Sequence, residues 1–303
     1  MEVGAMTLVQ ASEDVHDDVS TMVPDETAFD VLRAVRCCRG TGIACIDGNL
    51  DGGCLGPSEI VVLHGESGAA KSTVARNIIV AYIAPTEIGG HGLPAVLIDA
   101  EGTFDVVILA RLLTAAAEHH LSSQGCMLSQ FSTEELVQES LSRLLVLRPA
   151  EPLDLLRQLY SLRDVLEANP TTSLLVVDSM SAWQPLAAAF PRAVTPLLRE
   201  AWKAMDRLQR EHCLAVVVTL RESSADLAKV GAARNFQGFG LPNVHNSSAF
   251  CHLNVGRNPA EFENGGSCFA ISRRLPSVAG CGPASWHLFA LSESGQVVGI
   301  SVQ

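Results

Sequence analysis

The sequence predicts an α/β fold in which a mostly parallel sheet is flanked by helices and continues into an antiparallel extension toward the carboxyl terminus. Between residues 59 and 220, short apolar runs alternate with amphipathic stretches, the order that builds parallel sheets with crossover helices. After Leu220 three more apolar runs follow without helical stretches between them, which is typical of antiparallel pairing. Hydrophobic residues make up 48% of the 303 residues and charged residues 18%, enough apolar material for a large core.

The individual elements follow from apolar runs of strand length and from apolar residues at helical spacing. In chain order the parallel part comprises strand 59–64, helix 71–84, strand 94–99, helix 103–120, a helix from about residue 132, strand 143–147, helix 152–167, strand 173–178, helix 191–211 and strand 214–219. The extension comprises strands at about 249–255, 267–272 and 286–291.

Two of these helices have specific local signals. Ser132 and Glu135 have the spacing of a capping box at a helix start. The helix 152–167 is ended by Asn169-Pro170. Its predicted core face comprises Leu153, Leu156, Leu159, Tyr160 and Leu162.

The first 57 residues lie outside this strand and helix alternation. Residues 1–26 are acidic and lack hydrophobic periodicity, which predicts a disordered leader. Residues 27–39 have the spacing of a short amphipathic helix, and residues 40–57 carry six glycines, which indicates a linker. The sequence therefore predicts a core domain over 58–303, with residues 27–57 either contacting a partner or folding back on that core.

Charge and hydropathy exclude several classes of protein. The net charge is −12, and the first thirty residues contain eight acids and no Lys or Arg, the opposite of a secretory or mitochondrial leader. The remaining residues carry a net charge of −4, whereas a strong solitary nucleic-acid binder usually has a basic excess. No apolar run approaches the ~18 residues needed to cross a bilayer. We therefore expect no membrane segment and no secretion, and any contact with nucleic acid should be local or shared with partners.

The cysteines favour a reducing compartment. They number nine, and no C-x-x-C motif is present. This pattern predicts reduced, buried thiols, as in a cytosolic or nuclear protein. A redox pair at Cys37-Cys38 is the alternative.

The strongest chemical motif follows the first predicted strand. Gly65, Lys71 and Ser72 match the phosphate-binding P-loop motif G-x-x-x-x-G-K-[ST], while Ala70 replaces its second glycine. In such a loop the backbone N–H groups cradle phosphates, the lysine neutralises their charge, and the serine hydroxyl ligates Mg²⁺. We therefore predict binding of ATP and Mg²⁺, with Ser72 as a metal ligand. The predicted nucleotide-binding residues are Gly65, Glu66, Ser67, Gly68, Ala69, Ala70, Lys71 and Ser72. The alternative is an ordinary strand-to-helix turn with a surface lysine.

Carboxylates end two of the predicted strands. Asp178 ends an apolar strand, where a carboxylate holds the water shell of Mg²⁺ beside a P-loop, so we predict that it binds nucleotide and metal. Glu101 follows strand 94–99 and is the candidate catalytic residue, orienting a water for attack on the γ-phosphate. The alternative reading of each is an acid that caps a turn or a helix.

Together these motifs resemble the RecA/RadA recombinase superfamily over nearly all of residues 45–301. The resemblance is carried by the segments 50–60, 99–104 and 174–182. Residues 159–183 most resemble a eukaryotic recombinase paralogue of the X-ray-repair cross-complementing group. The resemblance implies a RecA-like P-loop NTPase core in a nuclear protein that repairs DNA double-strand breaks by homologous recombination. It also implies other recombinase-paralogue subunits and single-stranded or branched DNA as partners.

The chain departs from the family pattern at several positions. Besides Ala70, Arg221 stands where the family has a glutamine that senses the γ-phosphate. The loop 222–247 corresponds to a DNA-binding loop of the family, and Arg273-Arg274 falls where the family caps a neighbouring subunit's nucleotide. That loop carries Lys229, Arg234 and Phe236. For both segments a solvated surface loop is the alternative.

These departures predict DNA-dependent ATP hydrolysis that is weak or assisted by a partner. A structural adapter that holds a paralogue partner without using nucleotide is the rival hypothesis. A metabolic P-loop kinase is disfavoured by the strands after Leu220 and by the lack of a recognisable substrate lid.

Overall fold

Nine strands form one sheet in the computed structural model, in the order β3-β2-β4-β5-β1-β6-β7-β8-β9. The structure describes residues 38–56, 60–124, 133–221, 250–258, 268–273 and 287–300. The strands are β1 (Ile60–Gly65), β2 (Ala95–Asp99), β3 (Leu144–Leu147), β4 (Leu174–Asp178), β5 (Ala215–Arg221), β6 (Phe250–Asn258), β7 (Cys268–Arg273), β8 (His287–Leu291) and β9 (Val297–Ile300).

The pairing confirms the predicted parallel sheet with an antiparallel extension. The strands β1 to β5 pair in parallel, with the carboxyl-terminal residues Asp99 and Asp178 directly in register. The strand β6 also pairs in parallel, with β1, so the antiparallel part begins only at β7. The sequence predicted an antiparallel β6 because no helical pattern marks residues 222–249, although this connection is long enough for a parallel crossover.

Helices cover both faces of the sheet and bury two apolar clusters. One cluster includes residues of the helices Lys71–Ile83 and Val106–Gln124, and the other includes residues of Pro152–Ala168 and Pro191–His212. The described helices are Ala44–Asp47, Lys71–Ile83, Val106–Gln124, Thr133–Ser142, Pro152–Ala168, Gln184–Ala189 and Pro191–His212.

The predicted core face of the helix Pro152–Ala168 is confirmed at Leu159 and Leu162 but wrong at Leu153 and Tyr160. Leu155, Leu159, Leu162 and Leu166 are its buried leucines, at spacings of four and three residues that place them in one stripe. By contrast Leu153 is 37% exposed and Tyr160 is 53% exposed.

Residues 38–56, which belong to the predicted helix and linker, pack against the core. Ile46 and Leu55 are fully buried there, and Arg39 pairs with Leu55 in an isolated antiparallel bridge. His91 forms a 2.8 Å hydrogen bond with the Gly40 carbonyl. This part of the segment therefore folds back on its own domain.

The cysteine prediction is wrong at one pair. A disulfide joins Cys38 and Cys54, whose Cα atoms lie 5.7 Å apart. Four other described cysteines are buried thiols outside any disulfide, as predicted: Cys45, Cys213, Cys251 and Cys268. The pairing was missed because the bridge between Arg39 and Leu55 brings these two cysteines together, and sequence spacing does not reveal that contact.

Several predictions lie outside the described residues. They concern the acidic leader, the helix over 27–37, Ser132 of the capping box, the loop 222–247 and Arg274. Among the helices that are described, none is both long enough and apolar enough to span a bilayer.

Candidate nucleotide-binding site

The P-loop occupies the turn between β1 and the helix Lys71–Ile83, at the carboxyl edge of the sheet. At Gly65, the last residue of β1, a side chain is sterically excluded because a Cβ would overlap the Val255 carbonyl oxygen of β6. Gly68 adopts a left-handed conformation, with a φ of 78°. Both glycines therefore have a structural reason to be glycine, and the loop they shape leads directly into a helix N-terminus, which favours anions.

Ala70 immediately precedes that helix and adopts a left-handed conformation, with φ 64° and ψ 13°. An L residue with a Cβ is strained in this region by about 1–2 kcal/mol, whereas glycine is not. The motif's second glycine is therefore replaced at a position whose backbone still has the conformation that glycine prefers.

Lys71 lies at the first position of the helix and turns back over the loop. Its Nζ donates hydrogen bonds to the carbonyl oxygens of Gly65 and Glu66, at 2.9 and 2.7 Å. The ammonium group is therefore held at the mouth of the P-loop, where a phosphate group would meet it.

Ser72 and Asp178 lie together, as the motif predicts. The Ser72 hydroxyl donates to Asp178 Oδ1 at 3.1 Å, and the hydroxyl of Thr219, on β5, donates to the same oxygen at 2.5 Å. Both hydroxyls donate to the same carboxylate oxygen of Asp178, Oδ1. Oxygen ligands of this kind suit hydrated Mg²⁺, and the residues present therefore fit a magnesium nucleotide.

Glu101, the candidate catalytic residue, is engaged by two neighbours. Ser179 donates its hydroxyl to Glu101 Oε1 at 2.8 Å, and Arg221 Nη2 lies 3.3 and 3.4 Å from the two carboxylate oxygens. The Glu101 side chain is 25% exposed and that of Arg221 is 50% exposed. Arg221 is itself held by its backbone, whose N–H donates to the Ser181 hydroxyl at 2.6 Å. The predicted catalytic carboxylate is therefore part of an ion pair with Arg221.

Asp99 organises the turn that carries Glu101. Its side chain is 2% exposed and accepts hydrogen bonds from the backbone N–H groups of Thr103 and Phe104, at 3.0 and 3.2 Å. Arg148 lies 3.3 Å from the same carboxylate. The helix-capping role belongs instead to Asp105, which accepts from the Val107 N–H at 2.8 Å. Capping therefore does not account for Glu101.

The structure brings the P-loop, Ser72, Asp178 and Glu101 to one edge of the sheet. It also adds partners that sequence reasoning missed. Thr219, Ser179 and Asp99 were missed because their roles depend on neighbouring strands, although all three stand at or next to strand ends. A cleft beside the P-loop helix is lined by Ser72, Ala75, Arg76, Ile79, Leu97, Asp99, Phe104 and Asp178.

A P-loop after β1, with carboxylates at the ends of β2 and β4 on a mainly parallel sheet, is typical of a RecA-like P-loop core. The Rad51 family model matches residues 33–237, more than half of the chain. The chain therefore belongs to the Rad51 family.

A relative with a known role is similar over a shorter stretch. The mouse protein named DNA repair protein XRCC2 is 30% identical over 125 residues. That match covers 41% of this chain and 41% of the mouse protein, so the chain spans well under half the length of this relative. The likeness confirms the resemblance to a Rad51 paralogue of the X-ray-repair cross-complementing group.

Proposed function

We propose that the chain is an ATP-binding subunit of a recombinase-paralogue complex that acts in homologous recombination repair of DNA double-strand breaks in the nucleus. Membership of the Rad51 family supports the nucleotide-binding part, and the name of the mouse relative supports the repair part. The observation that carries the proposal is the convergence of the Ser72 and Thr219 hydroxyls on Asp178 beside the P-loop lysine.

In this proposal each residue of the site has a separate role in binding ATP and Mg²⁺. Lys71 supplies positive charge at the loop, and the P-loop helix N-terminus adds the partial charge of its backbone N–H groups. Ser72 and Asp178 would hold Mg²⁺, with Thr219 fixing the orientation of the Asp178 carboxylate. Bound Mg²⁺ and ATP supply a phosphoanhydride whose charge the metal partly neutralises.

Hydrolysis is weak or partner-assisted in this proposal because of Arg221. A general base must receive a proton from water at a carboxylate oxygen, and Arg221 Nη2 already lies 3.3 and 3.4 Å from the two carboxylate oxygens of Glu101. The ion pair between Glu101 and Arg221 therefore favours a subunit that binds ATP and turns it over slowly.

Titration of the full chain with Mg-ATP tests the proposal. Lys71→Ala should weaken binding at least about tenfold, because the loop loses the ammonium group that faces the phosphates. Lys203→Ala is the matched control, since Lys203 is an exposed lysine that pairs with Glu200 in the middle of the helix Pro191–His212 and should leave ATP affinity unchanged. Equal ATP affinity in wild type and Lys71→Ala would overturn the proposal.

The second candidate is the structural adapter, which the strained backbone at Ala70 and the neutralised Glu101 favour. Co-purification from cells with and without the Lys71→Ala change separates the two. The adapter function would be established if wild type and Lys71→Ala recover the same amount of paralogue subunits and neither chain binds ATP.

A further inference from the structure

A row of cations runs along the helix Pro191–His212, opposite to its buried face. At 100° per residue, its five members lie within an arc of about 80° and span about 27 Å of helix. All five are exposed: Arg192, Arg199, Lys203, Arg207 and Arg210. The opposite face is buried in the core through Val194, Leu198, Ala201, Trp202, Met205 and Leu208.

The acids of the same helix are already engaged by other cations. Glu200 pairs with Lys203 at 2.8 Å, and Asp206 pairs with Arg210 at 3.2 Å. Glu211 pairs with Arg163 of the neighbouring helix at 3.8 Å.

That arrangement leaves Arg192, Arg199 and Arg207 as uncompensated charges. Within the part of the chain that the structure describes, none of the three forms an ion pair. Successive members of this trio are about 10–12 Å apart along the helix axis. Three evenly spaced positive charges on one line match a linear polyanion better than a single anionic group.

An exposed aromatic side chain stands at the end of the row nearest the nucleotide-binding edge. Phe190, directly before the helix, is 60% exposed. Nearby, Gln184 donates a 3.3 Å hydrogen bond to the Arg221 carbonyl oxygen, so this end of the row lies beside the candidate site. An exposed ring next to cations suits a nucleic-acid base, which stacks on it.

We propose that Arg192, Arg199 and Arg207, which we name the basic row, bind the phosphate backbone of single-stranded DNA, with Phe190 stacking on a base. The choice of DNA as the polyanion rests on the proposed function. An acidic peptide would also meet the three charges, but it gives no role to Phe190. These residues are different from those of the predicted DNA-binding loop 222–247.

The salt dependence of DNA binding by the full chain tests the basic row. With a fluorescein-labelled oligo(dT) strand, three phosphate contacts predict a slope of log Kobs against log [NaCl] of about −2, or about −0.7 for each arginine. The triple variant Arg192→Gln, Arg199→Gln, Arg207→Gln should lose most of this slope, while replacement of all three by Lys should retain it. Phe190→Ser should weaken binding about tenfold without changing the slope.

The matched control is Arg157→Gln. Arg157 is exposed on the adjacent helix and is paired with Asp154 at 3.1 Å, so its loss should change neither slope nor affinity. Absence of a measurable slope in wild type, or a triple variant that binds DNA like Arg157→Gln, would overturn the proposal. The proposal would also be overturned if polyglutamate displaced oligo(dT) when the two are present at the same concentration of negative charges. The basic row would then recognise an acidic peptide.

Two further measurements keep the result interpretable. The melting curve of the triple variant followed by circular dichroism should match wild type, since all three side chains face solvent. Its ATP affinity should also match wild type. If the triple variant binds both DNA and ATP like wild type, the basic row is refuted and the proposed function is not. If wild type does not bind ATP, the proposed function is refuted.

Discussion

At the residue scale, the ion pair with Arg221 limits the access of water to the carboxylate of Glu101, the candidate catalytic residue. Ser179 and Arg221 together use both carboxylate oxygens of Glu101. A neutral side chain at position 221 would remove the guanidinium from Glu101 and leave the Ser179 hydroxyl as its described donor. The slow turnover that we propose therefore depends on a single departure from the family pattern, Arg221.

We predict that Arg221→Gln raises the steady-state rate of ATP hydrolysis about tenfold or more, because Glu101 becomes available as a base. Phosphate release by the full chain, with saturating Mg-ATP and single-stranded DNA, measures the effect. Adding Glu101→Gln to Arg221→Gln should remove the gain. If the double variant keeps the higher rate, Glu101 is not the base.

Ala70 gives a second prediction at this scale. Ala70→Gly should raise the free energy of unfolding by about 1 kcal/mol, since glycine relieves the left-handed strain at φ 64°. Chemical denaturation of the full chain measures this change. Ala69→Gly is the control: Ala69 is buried and has no positive φ, so glycine there should lower stability. A loss of stability of similar size in both variants would show that Ala70 is unstrained.

At the element scale, residues 38–56 are integral to the fold. Ile46 is fully buried, and Leu55 is 2% exposed. Ile46→Ala should lower the free energy of unfolding by about 2–5 kcal/mol, because it removes buried methyl groups and leaves a cavity. Ile108→Ala, at a 38% exposed isoleucine, should change it by no more than about 0.5 kcal/mol. Urea denaturation compares the two, and equal effects would show that the segment is only loosely attached.

Cys45 in the same element predicts a pH dependence. Burial, with a smaller contribution from the Asp47 charge, raises the pKa of the Cys45 thiol from 9.0 to about 11. The unfolded chain therefore ionises this thiol at lower pH than the folded chain. The stabilising contribution of the neutral thiol is complete below pH 9 and is lost as pH rises toward 11. The unfolding free energy of wild type should fall more steeply over this interval than that of Cys45→Ala, and parallel profiles would contradict the prediction.

At the scale of the whole molecule, strand order assembles the site. Four strands are neighbours in the order β2-β4-β5-β1, and each brings one part of the site to the same edge. The P-loop follows β1, Glu101 follows β2, Asp178 ends β4 and Arg221 ends β5. Residues far apart in the chain, such as Ser72 and Asp178, therefore meet at one edge.

Net charge gives the prediction that belongs to this scale. With a net charge of −12 and three uncompensated arginines in the basic row, the isolated chain should bind DNA weakly at physiological salt. Within a paralogue complex the affinity should be higher by orders of magnitude, because partner subunits add phosphate contacts. Fluorescence anisotropy of the chain alone and of the purified complex, at about 0.15 M salt, makes the comparison. Tight binding by the isolated chain would contradict it.

The sequence by itself determined the α/β alternation, the P-loop and the two carboxylates at strand ends, because hydrophobic period and motif spacing are local properties of the chain. Only the tertiary structure decided that Arg221 neutralises Glu101, that Thr219 fixes Asp178 and that Cys38 meets Cys54. It also decided which leucines of Pro152–Ala168 face the core and that β6 pairs in parallel with β1. These features depend on which elements become neighbours, since a hydrogen bond or an ion pair forms only when packing brings its two groups within reach.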